Sequence, residues 1–164
     1  MTSDNVLETL KAQPFAIELE PSHITRLASM GNVARFGPDH VIFKEGELTD
    51  KFYLIVSGTV ALEMILPEMN RARSVLRVQR LGPGDGLGWS AALVGRGKHF
   101  QARALDNVEA LVFEGAEVLE ACRQDASFGF AFMVRLLDVV SKRLQATRVQ
   151  LVDMHSPVAR QAGI

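Results

Sequence analysis

Residues 82–104 carry the sequence GPGDGLGWSAALVGRGKHFQARA. Four glycines stand in its first seven residues, and glycine lets a backbone turn sharply or approach a ligand closely because it lacks a Cβ atom. The small residues 90–92 can form one or two helical turns, whose free N–H groups and positive dipole end favour an anion. Basic side chains follow at Arg96, Lys98, His99 and Arg103. This is the layout of an anion-binding loop.

A second interpretation of the same stretch stays open at this point. A Gly-Pro-Gly-Asp loop taken alone is more typical of a tight turn between strands. In that case Lys98 and His99 lie in a solvated loop. Arg103 lies within an alternating strand pattern, so it is more simply explained as a structural salt-bridge partner than as a ligand contact. The rest of the chain is needed to decide between the two interpretations.

The composition is that of an ordinary soluble globular domain. The chain has 164 residues, of which 48% are hydrophobic and 23% charged, so it is long enough to bury a core as one domain. A net charge of −1 argues against nucleic-acid binding. No apolar run approaches the roughly 20 residues of a membrane span. The start of the chain lacks the pattern of a signal peptide, so we expect a cytoplasmic protein.

The residue types that bind metals or catalyse reactions are sparse and scattered. Cys122 is the only cysteine, which excludes an internal disulfide and a cysteine-ligated zinc or iron–sulfur site within one chain. The histidines form no His-x-His or His-x-x-x-His pair. No Ser/His/Asp triad or carboxylate pair is recognisable either. We therefore expect neither a bound metal nor enzymatic activity.

Residues 3–30 predict two short helices. In the first, apolar residues recur at helical spacing until Pro14. The second begins at Pro21, which suits a first helical position, and ends before Gly31. After Gly31 the apolar period changes, so the helical segment ends there.

Between residues 33 and 113, apolar and β-branched residues alternate in short runs that turn residues separate, as in an all-β sandwich or roll. The clearest predicted hairpin joins residues 52–56 to residues 59–64 through Ser57-Gly58, since a two-residue turn ending in glycine suits strand twist. Further strands are predicted at residues 33–36, 41–43, 75–78, 100–105 and 109–113.

Four motifs occur in order along this region: VIFKEGE at residues 41–47, FYLIVSGTV at 52–60, LGPGD at 81–85 and ARA at 102–104. Together they resemble the strand and turn landmarks of the cyclic-nucleotide-binding domain, in particular the sensor half of the catabolite activator (Crp/Fnr) family. The resemblance covers about residues 10–155. It implies a mainly β fold, a β-roll of the double-stranded β-helix type with flanking helices, in which the glycine-rich stretch is the phosphate-binding cassette.

The cassette departs from the family's pattern at two positions. Trp89 stands where the family has the glutamate that accepts a hydrogen bond from the ribose 2′-hydroxyl, and an indole cannot accept one. An unpaired hydroxyl in a closed pocket costs on the order of 1–3 kcal/mol. Lys98 stands, within one place, where the family has the arginine that binds the cyclic phosphate, and lysine lacks its bidentate geometry. These departures argue against ordinary cyclic AMP binding.

Two roles are open for Trp89 itself. Its ring is large enough to fill the vacated pocket as part of the core, as buried aromatic residues commonly do. Alternatively, the ring stacks on a flat ligand, such as a base or another heterocycle.

The last third of the chain predicts a short helix around residues 116–122 and a long helix that starts near residues 125–127. Residues with three-four spacing along the long helix form a heptad seam, which is typical of paired helices. The seam contains Phe130, Met133, Leu137, Val140, Leu144, Thr147, Leu151 and Met154. The alternative is a helix that lies on its own β-roll, as we expect of the first turns. Beyond Leu144 we expect a partner helix, hence a homodimer through residues 130–154.

Residues 142–147, KRLQAT, resemble the central dimer helix of the activator proteins. The resemblance implies that Thr147 reaches the base of a bound nucleotide. Arg148 replaces a serine that the partner subunit supplies in that family. In a parallel pair, Arg143 and Arg148 would face one another and weaken the pairing. Only residues 155–164 follow this helix, so we expect no helix-turn-helix of the family's kind and no direct DNA binding.

The sequence therefore predicts N-terminal helices at residues 1–31, a β-roll at 32–114, C-terminal helices at 115–155 and a tail at 156–164. We expect a stand-alone regulatory sensor that binds a small anionic ligand, with cyclic nucleotides and other small phosphates among the candidates, and signals through a dimer helix. The predicted ligand-binding residues are Gly86, Gly88, Trp89, Ser90, Lys98, His99, Thr147 and Arg148. The alternative is a ligand-free module that docks on a partner protein. A transcription regulator acting without its own DNA-binding domain is a third, weaker hypothesis.

Overall fold

Two four-stranded antiparallel sheets form the centre of the molecule in a computed structural model that describes residues 3–66, 74–89 and 97–155. The strands are β1 (Gly31–Phe36), β2 (Val41–Phe43), β3 (Lys51–Ser57), β4 (Val60–Leu66), β5 (Ser74–Leu81), β6 (Gly86–Leu87), β7 (Gln101–Ala104) and β8 (Val108–Glu114). The helices are α1 (Ser3–Lys11), α2 (Pro21–Ser29), α3 (Gly115–Gln124) and α4 (Ala126–His155), with a 3-10 turn at Pro14–Ala16. The predicted short helix at residues 90–92 lies outside the described residues.

The strands are arranged as β1-β8-β3-β6 in one sheet and β2-β7-β4-β5 in the other. This confirms the predicted β-roll with flanking helices and a long C-terminal helix. The predicted strands are all present, whereas the two-residue strand β6 was not predicted. A strand of two residues is too short to show an alternating pattern.

The predicted hairpin between β3 and β4 is wrong. β3 pairs with β8 and β6, while β4 pairs with β5 and β7 in the other sheet. The turn at Gly58 carries the chain from one sheet to the other, with a φ of +87° that favours glycine. The connection packs against the turn before β8, because the Thr59 N–H donates to the Asp106 carboxylate at 2.7 Å.

Buried side chains of β3 divide the core into two clusters. Because neighbouring residues on a strand point to opposite faces, Phe52 and Leu54 pack towards the helices while Tyr53 and Ile55 point into the roll. The helix-side cluster also contains Leu10, Phe15, Leu27, Phe113, Phe128, Phe132 and Leu136. The cluster inside the roll also contains Phe43, Val60, Leu62, Leu81 and Leu87.

Helix α4 begins where the sequence predicts. The Asp125 carboxylate accepts the N–H groups of Ser127 and Phe128, each at 3.1 Å, and so satisfies two donors of the first turn. The same carboxylate pairs with Arg26 of α2 at 3.1 Å. The hydrogen bond from the Phe128 N–H is the main reason why the pKa of Asp125 lies below its usual value.

Helix α4 contacts the roll for longer than expected. Phe128, Phe132 and Leu136 face the core at intervals of four residues. The same side of the helix continues to Arg143, which hydrogen-bonds to Gln79, and to Gln150, which donates to the Val78 carbonyl. Helix α4 therefore also contacts the roll beyond Leu144, where the sequence analysis expected too little chain to cover it, because β5 extends alongside the later turns.

The opposite side of α4 presents apolar side chains to solvent in the single chain. Phe130, Leu137 and Leu144 are 75%, 64% and 70% exposed. Val134 is also exposed, whereas Met133 packs against the core, so the exposed stripe runs through Val134 rather than the predicted Met133.

No helix in the described part of the chain is long and apolar enough to span a membrane.

Candidate ligand-binding site

A small, partly open cavity lies where the roll meets α4. Its lining comes from β2, β4, β6, the segment before β7 and α4. The residues are Phe43, Leu62, Leu87, Gly88, Trp89, Lys98, His99, Phe100 and Arg143. Residues 87–89 and 98–100 of the glycine-rich stretch therefore line one side of the cavity, and their predicted contact with an anion stays a prediction.

Four of the eight predicted site residues line this cavity: Gly88, Trp89, Lys98 and His99. Gly86 lies next to it, and its carbonyl accepts a hydrogen bond from Arg143 at 2.7 Å. Ser90 lies outside the described residues.

The two predicted site residues of α4 do not line the cavity in the single chain. Thr147 and Arg148 are exposed, and the Thr147 hydroxyl donates to the Arg143 carbonyl at 3.0 Å. Their predicted contact with a ligand stays a prediction.

Two backbone segments approach each other so closely at residue 88 that only glycine fits there. Its φ is +80°, and a Cβ atom there would lie 2.5 Å from the Lys51 carbonyl oxygen at the start of β3. No side chain fits that distance, so the glycine allows the end of β6 to pass directly against β3.

Lys98 is buried, with 2% of its surface exposed. Its ammonium group donates to the carbonyls of Lys51 at 2.9 Å and Gly88 at 3.0 Å, and it lies 5.0 Å from the centre of the Phe43 ring. Burial lowers the pKa of Lys98 to about 8, against the opposing charges of Asp50 and Glu47. An ammonium group has three donors, so one N–H remains beyond the two carbonyl contacts.

The lowered pKa of Lys98 predicts a pH-dependent stability. Between about pH 8 and 10.5 the unfolded chain binds more protons at Lys98 than the folded chain does. The contribution of Lys98 to the unfolding free energy therefore rises with pH in that window. The same contribution is lost as the pH falls through 8. We expect the difference in unfolding free energy between the wild type and Lys98→Met to shift in favour of the wild type from about pH 7.5 to about pH 9.5. Urea denaturation at both pH values measures it, and a constant difference would contradict the lowered pKa.

Trp89 combines parts of both predicted roles. It is half-buried and packs against the helix-side core, yet it also lines the cavity. Its ring lies 6.4 Å from the His99 ring at nearly a right angle. His99 is exposed, whereas Lys98 is buried. The rings of Trp89 and His99 therefore form an aromatic wall beside the buried ammonium group of Lys98.

Arg143 of α4 lines the cavity, although the sequence analysis placed it opposite Arg148 in a parallel pair of helices. Its guanidinium donates to the Gln79 side chain at 3.0 Å and to the Gly86 carbonyl at 2.7 Å, so it faces its own roll rather than a partner's Arg148. Nε is buried without a hydrogen-bond partner among the described residues. Burial lowers the pKa of the guanidinium. Residues 128, 132, 136, 139 and 143 share one helix face, so the packing of that face against the roll is what brings Arg143 to the cavity.

Comparison with known proteins identifies the family of this fold. A model of the family described as cyclic nucleotide-binding domain matches residues 33–125, which is 93 of the 164 residues. The chain belongs to this family. A search of curated proteins found no significant match.

Several solved structures share the fold of this cyclic nucleotide-binding domain. A putative cyclic nucleotide-binding protein from Geobacter metallireducens is 24% identical with a TM-score of 0.69, and the match covers 84% of this chain and 96% of that one. A cyclic nucleotide-binding domain from Methylobacillus flagellatus has a TM-score of 0.78 at 16% identity, with 93% and 83% covered. The catabolite activator protein of Thermus thermophilus has a TM-score of 0.68 at 21% identity, with 87% and 63% covered.

Outside the cavity, this cyclic nucleotide-binding domain buries an ionic cluster around Glu63 of β4. Glu63 accepts from Gln101 at 2.8 Å and from Arg103 at 3.1 Å, and it pairs with Arg77 at 3.4 Å. Burial alone would raise the pKa of Glu63, but these hydrogen bonds and the charge of Arg103 lower it below its usual value. The interpretation of Arg103 as a structural salt-bridge partner is confirmed.

The described residues of this cyclic nucleotide-binding domain hold no group of three or more His, Cys, Asp or Glu side chains arranged for a metal ion.

The cavity lining also includes apolar residues that the sequence analysis did not single out: Phe43, Leu62, Leu87 and Phe100. Leu62 lies in a predicted strand, whereas Leu87 lies in β6, which is too short to show an alternating pattern.

Proposed function

We propose that this chain is a regulatory sensor that binds a small anionic ligand in the cavity and passes its occupancy to α4. The observation that carries the proposal is the presence of two cationic side chains, the buried Lys98 and the part-buried Arg143, in one cavity whose described lining contains no carboxylate. Such cations favour an anion, because an anion offsets the cost of taking their charges out of water. The family match supports a ligand of this kind.

Carboxylates near the cavity do not compensate for this burial. Asp50 and Glu47 act on Lys98, and Asp85 acts on Arg143, yet the pKa of each cation stays below its usual value. Both charged forms therefore remain destabilised in the single chain. A bound anion would stabilise them, and the binding energy would come in part from that relief.

Arg143 supports a route from the cavity to the helix. Its side chain lines the cavity, and its hydrogen bonds hold α4 against Gln79 of β5 and Gly86 of β6. A ligand that contacts the guanidinium competes with these bonds or reinforces them, which changes how firmly α4 is held. Ligand binding would in this way shift the helix between two positions.

The ligand proposal is tested with the only tryptophan in the chain, Trp89, as the reporter. We expect its fluorescence and the thermal unfolding midpoint to change with at least one member of a panel of cyclic nucleotides, small phosphates and small carboxylates. Lys98→Met should weaken that response, whereas Lys142→Met, which removes an exposed cation of α4, should not. Silence from the whole panel would contradict the sensor function.

We also propose that the sensor is a homodimer through α4. Phe130, Leu137 and Leu144 are exposed and spaced by seven residues, which is the spacing of one seam of a two-helix coiled coil. The roll occupies the other side of the helix, so the exposed seam is available to a second copy. Two identical seams complement each other around a two-fold axis.

Leu144→Glu tests the dimer. A carboxylate at this seam position would face its copy across the pair, so we expect the variant to sediment as a monomer at concentrations where the wild type is a dimer. Gln145→Glu adds the same charge at the neighbouring exposed position and should leave the dimer intact. A wild-type chain that sediments as a monomer would contradict the proposal, as would a dimer that survives Leu144→Glu.

A ligand-free interaction module is the second candidate because two N–H groups of Lys98 already bind backbone carbonyls. On this proposal the lysine is a structural clamp between Lys51 and Gly88, and Trp89 belongs to the core. The panel distinguishes the two functions, since an interaction module would not respond to any of its members.

A further inference from the structure

We propose that the cavity selects an aromatic or heteroaromatic ligand that carries one anionic group and no sugar, such as an aryl carboxylate, in preference to a cyclic nucleotide. This inference rests on the sensor function proposed above and specifies the class of ligand. It follows from three properties of the described lining: its apolar surface, its shortage of acceptors and the number of donors that remain.

The apolar surface of the cavity suits a flat ring. Three of its described lining residues carry large aromatic rings, namely Phe43, Trp89 and Phe100, and Leu62 and Leu87 lie in the same cavity. Aromatic side chains gain most from rings that stack or meet them edge to face. A ligand with a large apolar face therefore matches this lining better than a small hydrated anion such as phosphate.

The shortage of acceptors disfavours a ribose. Among the described lining residues, the side chains of Trp89, Lys98 and Arg143 are hydrogen-bond donors only, and His99 alone has a side-chain nitrogen able to accept. The Gly88 carbonyl already accepts from Lys98, which leaves it one further lone pair. A sugar hydroxyl placed here competes for these few acceptors or stays unpaired, and an unpaired buried hydroxyl weakens binding.

The remaining donors suit one anionic group. Lys98 has one N–H beyond its two carbonyl contacts, and the buried Nε of Arg143 has no partner among the described residues. Both donors belong to cations that burial makes costly without an anion. A ligand with a single carboxylate supplies that anion and adds no hydroxyl donors of its own.

Isothermal titration calorimetry of the full chain tests the inference with four probes: 1-naphthylacetate, the neutral amide 1-naphthylacetamide, cyclic AMP and inorganic phosphate. We expect 1-naphthylacetate to bind at least about tenfold more tightly than each of the others, as expected for a charge-assisted hydrogen bond beside an aromatic wall. Lys98→Met should remove that preference over the amide, and Trp89→Leu should weaken acid and amide alike. Lys142→Met, which removes an exposed cation, should change neither.

The outcomes separate the two proposals. Tighter binding of cyclic AMP than of 1-naphthylacetate would overturn the inference and leave the sensor function standing. Equal binding of the acid and the amide would also overturn it, and this comparison needs no variant and so does not depend on how Lys98→Met folds. Binding of phosphate alone would overturn it as well, and so would silence from all four probes, whereas the sensor function itself fails only if the wider panel is also silent.

Discussion

Phe132→Ala is expected to lower the unfolding free energy by about 3–5 kcal/mol, which corresponds to a fall of roughly 6–20 °C in the thermal midpoint for a chain of this size. Phe132 is 1% exposed, and its ring centre lies 5.6 Å from that of Phe15, 6.1 Å from Phe128 and 6.5 Å from Phe52. The ring thus joins α4 to the 3-10 turn and to β3. Its loss leaves a cavity at the point that holds α4 on the roll.

Phe130→Ala is the matched control for Phe132→Ala. It removes the same side chain two residues earlier on the helix, where the ring is 75% exposed. We expect little change in the midpoint of the monomer, and a weaker dimer if α4 pairs with a second copy. Thermal denaturation followed by circular dichroism, at a concentration low enough to exclude dimers, measures both variants. Equal losses of stability would contradict the assigned orientation of α4.

Gly88→Ala is expected to lower the thermal midpoint by roughly 2–12 °C from backbone strain alone, since a left-handed backbone costs a non-glycine residue about 1–3 kcal/mol. The new Cβ atom would also lie 2.5 Å from the Lys51 carbonyl oxygen and 3.1 Å from the Lys98 ammonium nitrogen. The backbone oxygen cannot move without shifting β3. The substitution therefore strains the wall of the cavity and the two hydrogen bonds that hold Lys98.

Gly82→Ala provides the control within the same loop. A Cβ atom at Gly82 meets nothing within 4 Å, and its φ lies outside the left-handed region. We expect its midpoint to be unchanged or slightly raised, because alanine restricts the unfolded chain. Differential scanning fluorimetry compares the two variants. If Gly88→Ala proved as stable as Gly82→Ala, the close approach of β6 to β3 would be wrong.

The hairpin predicted from the sequence around Ser57-Gly58 shows where local patterns stop being informative. A two-residue turn ending in glycine is compatible with pairing of its two strands and with a crossing between sheets. The choice depends on β8, which lies about fifty residues later and pairs with β3. Alternation predicted that the strands exist, but not which strands are neighbours.

Four of the eight predicted site residues line the cavity, and the sequence analysis left out Arg143 for a related reason. Gly88, Trp89, Lys98 and His99 lie in one short stretch, and the structure brings them together in one cavity. Arg143 lies far along the chain from Lys98, on a helix where the sequence analysis placed it opposite Arg148 in a parallel pair. Its actual direction follows from the rotation of α4, which the packing of Phe128 and Phe132 against the roll sets.

The sequence alone determined seven of the eight described strands, the start of α4 and the family, because backbone preferences, apolar periodicity and ordered motifs act over a few residues at a time. Only the tertiary structure decided that Lys98 binds the carbonyls of Lys51 and Gly88, and that Arg143 enters the cavity. Those contacts join segments that are distant in the chain. They depend on how the sheets and α4 pack together, which no local pattern specifies.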